Sequence, residues 1–389
     1  MYRQLSDFVR AGITNGRLRK GDRLPPTREL AERLGVNRAT VSAAYALLES
    51  EGWIEGHVGR GSFVRAESSA AAEPSKLDGV STAMMTDPVP AGRISFATSR
   101  PAAELFPLEE IQGLAADVLS GAEAASVLQL GSPAGYAPLR RYLRDISLKE
   151  GVAGPGDDIL ITSGCQQAVD LAARSLASPG DTVLVEDPVY PGLRHALVRA
   201  GVRIAGVPVN EHGLDLDAAA RLIEQTTPRL MVVTPNFQNP TGLTLNRPAR
   251  EQLCSLCERS GVLLVENDIY GPLRYRGEGG PTLKQLAGTG KAVLLRSYSK
   301  IAFPGLRVGW IVASHSVIET LVEAKQWTDL HSDQLSQAIL LRFEQSGGLA
   351  SHVERIRKEF ALRLEAALEA CARHLPPGST YTKPEGGMS

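Results

Sequence analysis

The stretch Ser297-Tyr298-Ser299-Lys300 gathers two hydroxyls, a phenol and one amine within four residues, and Arg307 follows seven positions after the lysine. Residues 292–296 before it read as a short buried strand, mostly apolar and free of Gly and Pro. The chain then bends at Pro304-Gly305 and returns as a second strand over 308–313. A lysine at the mouth of a buried strand is costly to desolvate, and burial lowers its pKa towards a nucleophilic amine. Hydroxyls one and three residues before it, with Arg307, supply donors for a phosphate dianion. An amine beside a phosphate cradle is what a pyridoxal phosphate Schiff base requires. A solvated loop lysine would show the same local sequence, so the chemistry depends on what other elements bring to it.

Strand-like runs occur at 159–162, 182–186, 203–207, 230–234 and 263–266, and helical patterns at 166–176, 193–200, 216–225 and 250–260 separate several of them. Strands spaced by helices of that length predict an α/β body with a mostly parallel sheet covered on both faces. Residues at the carboxyl ends of such strands converge on one crevice. There, Ser163-Gly164-Cys165-Gln166 opens a helix whose free N–H groups suit a phosphate. Tyr190, after Glu186-Asp187-Pro188-Val189, offers a face for a planar ring. The turn Asn239-Pro240-Thr241-Gly242 presents an amide, and Asp268 and Tyr270 present a carboxylate and a phenol. A carboxylate beside a pyridine nitrogen keeps it protonated, and an amide and a phenol can both bond a ring oxygen. Taken singly, Asn239 fits an ordinary turn, Asp268 a loop cap and Tyr190 the core. Cys254 and Cys257 lie one helical turn apart with no second Cys/His pair, so they read as core residues rather than metal ligands.

At 389 residues, with 43% hydrophobic residues and a net charge of −1, overall charge names no partner. Its distribution is more informative. Residues 1–65 carry 11 Lys/Arg against 7 Asp/Glu, which leaves 31 against 36 for the remainder. A basic head on an acidic body suggests that the head meets nucleic acid. Within it, Thr27 reads as the N-cap of a short helix closed by Gly35, and Asn37 as the cap of a second helix that buries Val41, Ala44, Tyr45 and Leu48. Such a pair is a helix-turn-helix whose second helix enters the major groove by its N-terminal end, where Asn37, Arg38, Thr40 and Ser42 lie. Residues 53–64 read as a two-stranded wing tipped by Arg60. Residues 66–92, rich in Ala, Ser and Pro, read as a flexible tether between the head (1–65) and the body (93–389). With no secretory signal or long apolar run, the chain is expected to be cytoplasmic and to avoid membranes.

The run Leu24-Pro-Pro-Thr-Arg-Glu-Leu-Ala-Glu-Arg-Leu-Gly-Val-Asn-Arg-Ala-Thr-Val, followed by Ala44-Tyr45, Glu51-Gly52 and Gly59-Arg60-Gly61-Ser62-Phe63-Val64, resembles the winged helix of GntR-type bacterial regulators. The resemblance places DNA contacts on Arg28, Asn37, Arg38, Thr40 and Arg60. The body, through the order of Gly164, Tyr190, Asn239, Asp268, Tyr270 and Lys300, resembles the fold-type-I aminotransferases. That resemblance implies pyridoxal 5'-phosphate held as an internal aldimine on Lys300. It places Asp268 on the pyridine nitrogen, Asn239 and Tyr270 on the ring oxygen, and Tyr190 against the ring. Gly164, Cys165, Gln166, Ser297, Ser299 and Arg307 would hold the phosphate.

Head, tether and body together resemble the MocR/GabR-type regulators. The resemblance implies operator DNA as partner, a head-to-tail, domain-swapped homodimer, and in some members an amino-compound effector sensed by aldimine exchange at Lys300. The alternative is a working aminotransferase with an accessory DNA-binding head. Two departures stand out. Leu130 occupies a place where relatives often carry a tyrosine that reaches the partner's cofactor. The small domain is expected to be incomplete, with one helix around 353–372, one strand at 380–383, and no arginine to grip a substrate carboxylate before the sequence stops at Ser389.

Overall fold

The structure, a computed structural model, describes residues 2–14, 18, 20–50, 52–57, 61–65 and 99–389. The chain divides into two compact units, Met1–Asp78 and Gly79–Ser389. Both the tether expected at 66–92 and the wing-tip Arg60 lie outside the described residues.

In the first unit, helices α1 (Tyr2–Thr14), α2 (Thr27–Leu34) and α3 (Arg38–Ser50) precede strands β1 (Ile54–His57) and β2 (Gly61–Val64). The strands pair antiparallel with Ile54 opposite Val64 and His57 opposite Gly61. Val41, Ala44, Tyr45 and Leu48 are buried at the helical spacing expected of α3. The α2–α3 turn closes on Gly35, which adopts the left-handed conformation (φ +63°) that a side chain would strain. Asn37 caps α3, its Oδ1 accepting the Ala39 N–H at 2.8 Å. The expectation for Thr27 is corrected: Pro26 holds the N-cap and Thr27 is the first helical residue, with no side-chain cap bond. Pro26 already sits at φ −55° and ψ 141°, so the helix starts directly after it. The segment before it pairs with the wing: Leu24 N–H donates to Ser62 O and Val64 N–H to Asp22 O, each at 2.9 Å.

The second unit opens with α4 (Leu108–Ser120), α5 (Ala124–Val127) and α6 (Ala137–Lys149). Strand and helix then alternate through β3 (Asp157–Thr162), α7 (Cys165–Leu176), β4 (Thr182–Asp187), α8 (Pro191–Arg199), β5 (Arg203–Asn210), β6 (Gly213–Leu214), α9 (Leu216–Thr226), β7 (Leu230–Val233), α10 (Arg247–Ser260) and β8 (Leu263–Asn267). After these come α11 (Leu283–Ala287), β9 (Ala292–Ser297), β10 (Gly309–Ser314), α12 (His315–Asp329), α13 (Gln334–Gln345) and α14 (Gly348–His374). The sheet order is β3-β10-β9-β8-β7-β4-β5-β6. Strands β4, β5, β7, β8 and β9 run parallel, and a helix lies between each and the next of them along the chain. Strand β10 is antiparallel to both its neighbours, because the chain from Ser297 to Gly309 is too short for a crossover and must double back. Alternate side chains serve opposite faces. Val183, Val185, Val265 and Ile311 pack under α7, α8 and α12, while Leu184, Val233 and Leu264 face α9, α10 and α11.

The strand expected at 380–383 is not formed. Those four residues are exposed, and the returning chain forms one β-bridge with the unit, Arg274 opposite Gly386, beside the Arg274–Glu385 ion pair, rather than a ladder. Among the described residues, no helix is long and apolar enough to cross a membrane, and no group of acidic, Cys and His side chains is placed to hold a metal. Cys254 and Cys257 are free core thiols on α10.

Candidate functional site

The carboxyl ends of β3, β4, β7, β8 and β9 bring the chemistry-bearing residues into one crevice. Lys300 sits in the turn after β9. Its Nζ donates to the carbonyl oxygen of Ser99 and lies 5.9 Å from the centre of the Tyr270 ring. Burial lowers the Lys300 pKa to about 8; Cys165 opposes this, and Arg307 and Arg100 reinforce it. A fraction of the amine is therefore neutral near pH 7, as a nucleophile requires.

Beside it lies an anion cradle. Ser299 Oγ is 3.0 Å from Ser297 Oγ, which accepts the Ser299 N–H at 3.1 Å. Arg307 adopts the left-handed region (φ +53°), and its Nη1 reaches Ser299 Oγ at 3.3 Å while Nη2 donates to Ser163 O at 3.1 Å. Helix α7 begins at this point with Gly164 as N-cap and no side chain capping it, so its first N–H groups are open. A Cβ on Gly164 would stand 2.3 Å from Arg307 Nη2, and one on Gly309 would stand 3.0 Å from Cys165 N. Bare glycines keep this hollow open. The side chain of Gln166 is engaged elsewhere, its Nε2 donating to Gly192 O at 3.0 Å. Its backbone N–H, in the first turn, is what it offers an anion. Open N–H groups, two hydroxyls and a guanidinium around a space that side chains would fill suit a phosphate, so the residues present fit pyridoxal phosphate.

The residues expected to meet a planar ring lie in the loops after β4, β7 and β8. Tyr190 is the N-cap of α8, and a Cβ on Gly192 would lie 2.4 Å from its ring, so the glycine gives the aromatic its room. Burial raises the Tyr190 phenol pKa, and nearby Cys165 adds to the shift. The Cys165 thiol is itself pushed up to about 12 by burial and stands 3.3 Å from Asn267 Oδ1. Asn239 Nδ2 donates to the Tyr270 hydroxyl at 3.3 Å. Burial raises the Tyr270 pKa, and its hydrogen bonds with Asn239 and Ser99 oppose the rise. Asp268 is 3% exposed, with Oδ1 accepting from Asn236 Nδ2 at 2.8 Å and Oδ2 lying 3.4 Å from Arg296 Nη2.

Four residues of this crevice were not found from sequence: Ser99, Asn236, Arg250 and Arg296. Asn236 stands in the same turn as Asn239, three residues earlier, a hint that was available. Arg250 opens a helical pattern where a charged residue normally faces water. Instead it is fully buried, its guanidinium donating to Leu245 O, Pro281 O, Pro235 O and, at 2.7 Å, to Asn236 Oδ1.

In the first unit, Arg28, Asn37 and Arg38 are exposed and Thr40 half-exposed around the start of α3. Arg28 pairs loosely with Glu32 at 3.8 Å and is 83% exposed, so its guanidinium is available to a phosphate. Burial raises the Tyr45 pKa to about 12; its hydroxyl donates to Pro25 O at 2.8 Å, tying α3 to the start of α2.

Comparison with known proteins gives two family matches, aminotransferase class I and II over residues 122–389 and bacterial regulatory proteins of the gntR family over residues 1–64. The chain is 37% identical over 300 residues to a 2-aminoadipate transaminase of Thermus thermophilus, covering 76% of this chain and 74% of that one. It is 31% identical over 409 residues to the probable rhizopine catabolism regulatory protein MocR of Rhizobium meliloti, covering all of this chain and 80% of the relative. A kynurenine aminotransferase of Pyrococcus horikoshii, solved with PMP, superposes with a TM-score of 0.72 at 34% identity, over 75% of this chain and 73% of that one. A GntR-type head joined to a fold-type-I aminotransferase body with a lysine-centred phosphate crevice defines a pyridoxal-phosphate-binding transcriptional regulator. The chain belongs to the MocR-type regulators.

Proposed function

We propose that Lys300 carries pyridoxal 5'-phosphate as a Schiff base and that an incoming amine displaces it, making the body a sensor of cofactor level or of a small amino compound. The observation that carries this reading is the placement of a partly neutral Lys300 beside the open start of α7, Ser297, Ser299 and Arg307. The bound cofactor supplies an electrophilic carbon and an electron-withdrawing ring. The chain supplies the rest. Gly164, Cys165 and Gln166 would offer backbone N–H groups to the phosphate, Tyr190 would cover the ring, Asn239 and Tyr270 would bond its oxygen, and Asp268 would face its nitrogen. Release of Lys300 from its linkage shifts a conformational equilibrium that the heads report to DNA. Arg28, Asn37, Arg38 and Thr40 supply the operator contacts, joined by Arg60 at the wing tip. Two chains pair head-to-tail, so that two recognition helices meet repeated half-sites in the cytoplasm.

Transamination is the second reading, favoured by the likeness of the body to the transaminase of Thermus thermophilus. The purified chain mixed with pyridoxal phosphate distinguishes the two. A visible Schiff-base band that is lost in Lys300→Ala, persists with added amine in shifted form and accompanies a change in operator affinity supports the sensor. Steady conversion to pyridoxamine phosphate supports the enzyme, and no band in the unaltered chain overturns both.

A further inference from the structure

Asp268 lies between two arginines. Arg250 reaches it through Asn236, the 2.7 Å bond to Asn236 Oδ1 turning the amide so that Nδ2 points at Asp268 Oδ1. Arg296 meets it directly, with Nη2 3.4 Å from Oδ2. Arg296 is held from its other side by Glu150, Nη1 to Oε2 at 3.2 Å, and its Nε is buried with no hydrogen-bond partner. Burial works against the charge on Arg296, but Asp268 and Glu150 outweigh it and its pKa is raised. The other acidic group nearby, Glu266, has its pKa raised, first by burial and then by Asp268, which weakens its charge at this end of the crevice. Four residues after Arg296 comes Lys300, so one short segment carries the attachment lysine, two cradle hydroxyls and this cation.

We propose that Arg296 sets the charge of the site: its guanidinium offsets part of the negative potential that Asp268 presents to a pyridine nitrogen, which then holds its proton less firmly than beside an unpaired carboxylate. This rests on the reading of Lys300 as the attachment site and deepens it. A protonated ring nitrogen is what makes the cofactor a strong electron sink. Weakening it slows proton removal from the carbon of a bound amine. Exchange of one amine for another at the cofactor's carbonyl carbon depends less on that sink. The pair Arg296–Asp268 therefore favours a body that registers an amine over one that turns it over. Arg296 acts through Asp268 and is a positioning residue.

The test loads the full chain with pyridoxal phosphate labelled with 15N at the ring nitrogen and reads that nitrogen by NMR, alongside the absorption band of the Lys300 linkage. Arg296→Met is expected to move the resonance towards the protonated position and to speed the single-turnover conversion of cofactor by L-alanine by on the order of tenfold, the equivalent of one pKa unit. Arg296→Lys, which keeps the charge, is expected to stay near the unaltered chain. Glu150→Gln, on a side chain half open to solvent, leaves Arg296 less neutralised and is expected to move the resonance the opposite way. This variant keeps the proposal testable if Arg296→Met fails to fold. An absorption band in every variant with an unmoved ring-nitrogen resonance overturns the role of Arg296 while the Lys300 reading stands. The absence of a band in the unaltered chain overturns both.

Discussion

The side-chain amide of Asn236 donates to Asp268 at 2.8 Å while its carbonyl oxygen accepts from Arg250 at 2.7 Å, so a buried cation two side chains away fixes the direction of the crevice carboxylate. Asn236 cannot flip without placing its oxygen against a carboxylate and its NH2 against a guanidinium, and the network thereby sets its own orientation. Asn236→Ala removes the aim and leaves Arg250 one acceptor short. Cofactor affinity is expected to fall by roughly tenfold, at a stability cost of about 1–3 kcal/mol for the unpaired groups. Fluorescence titration with pyridoxal phosphate and denaturant unfolding measure the two effects. Unchanged affinity would show that Asp268 is positioned without Asn236.

Lys300 gives the chain without cofactor a distinctive pH dependence. Its folded pKa of about 8 lies below the ordinary lysine value, so between the two the unfolded chain binds more protons than the folded one. Stability therefore rises with pH across that window and is penalised below about pH 8, where the half-buried amine must be charged. Lys300→Met is expected to be more stable than the parent near neutral pH, with the gap closing by about pH 10.5, the ordinary lysine value. Melting temperatures of the two chains from pH 7 to 10.5 follow this directly. A gap that does not change with pH would place the amine in water.

Much of this arrangement could be read from residue order. Short, nearly continuous apolar runs separated by helical patterns give a parallel sheet covered on both faces, and the loops after those strands carry Gly164, Tyr190, Asn239, Asp268 and Lys300 because strand ends converge. The antiparallel β10 follows from counting residues between Ser297 and Gly309. The fully buried Arg250 was not legible, since a helical pattern cannot tell whether a charged position faces water or a ring of backbone carbonyls. The expected strand at 380–383 failed for the converse reason: local propensity suited a strand, but no sheet edge is paired with it. The side chain of Gln166 is taken by Gly192 O, a contact decided by tertiary packing that residue order does not show.

A second buried ion pair is structural. Lys284 Nζ donates to Asp157 Oδ1 at 2.9 Å with both side chains sealed from solvent, and Asp157 Oδ2 also accepts from Gly154 N–H at 2.8 Å. Removing the cation alone leaves a carboxylate without its counter-charge in the interior, so Lys284→Met is expected to cost about 3–5 kcal/mol. The double variant Lys284→Met, Asp157→Leu is expected to recover much of that loss, because neither charge then remains to be desolvated. Urea unfolding of the two single variants and the double variant closes the cycle. Equal costs for Lys284→Met alone and for the pair would show that packing, rather than charge, holds β3 to α11.

At the head, Asn37 and Arg38 sit side by side at the start of α3 but have different duties. Asn37 Oδ1 is committed to the Ala39 N–H, while Arg38 is exposed. Asn37→Ala is therefore expected to cost about 1 kcal/mol of head stability through the lost cap, and any loss of DNA affinity mixes that with lost contact. Asn37→Ser retains a capping oxygen and separates the two. Arg38→Ala leaves the cap untouched. If Arg38 reads a base edge, the substitution lowers operator affinity by about 1–3 kcal/mol and relaxes preference at one base position. If it meets a phosphate, affinity falls about equally on every sequence and the dependence on salt weakens by about one counterion. Electrophoretic mobility shifts over a salt series, on the operator and on scrambled DNA, distinguish base contact from phosphate contact. An Arg38→Ala chain that binds both DNAs like the parent would remove the start of α3 from the interface altogether.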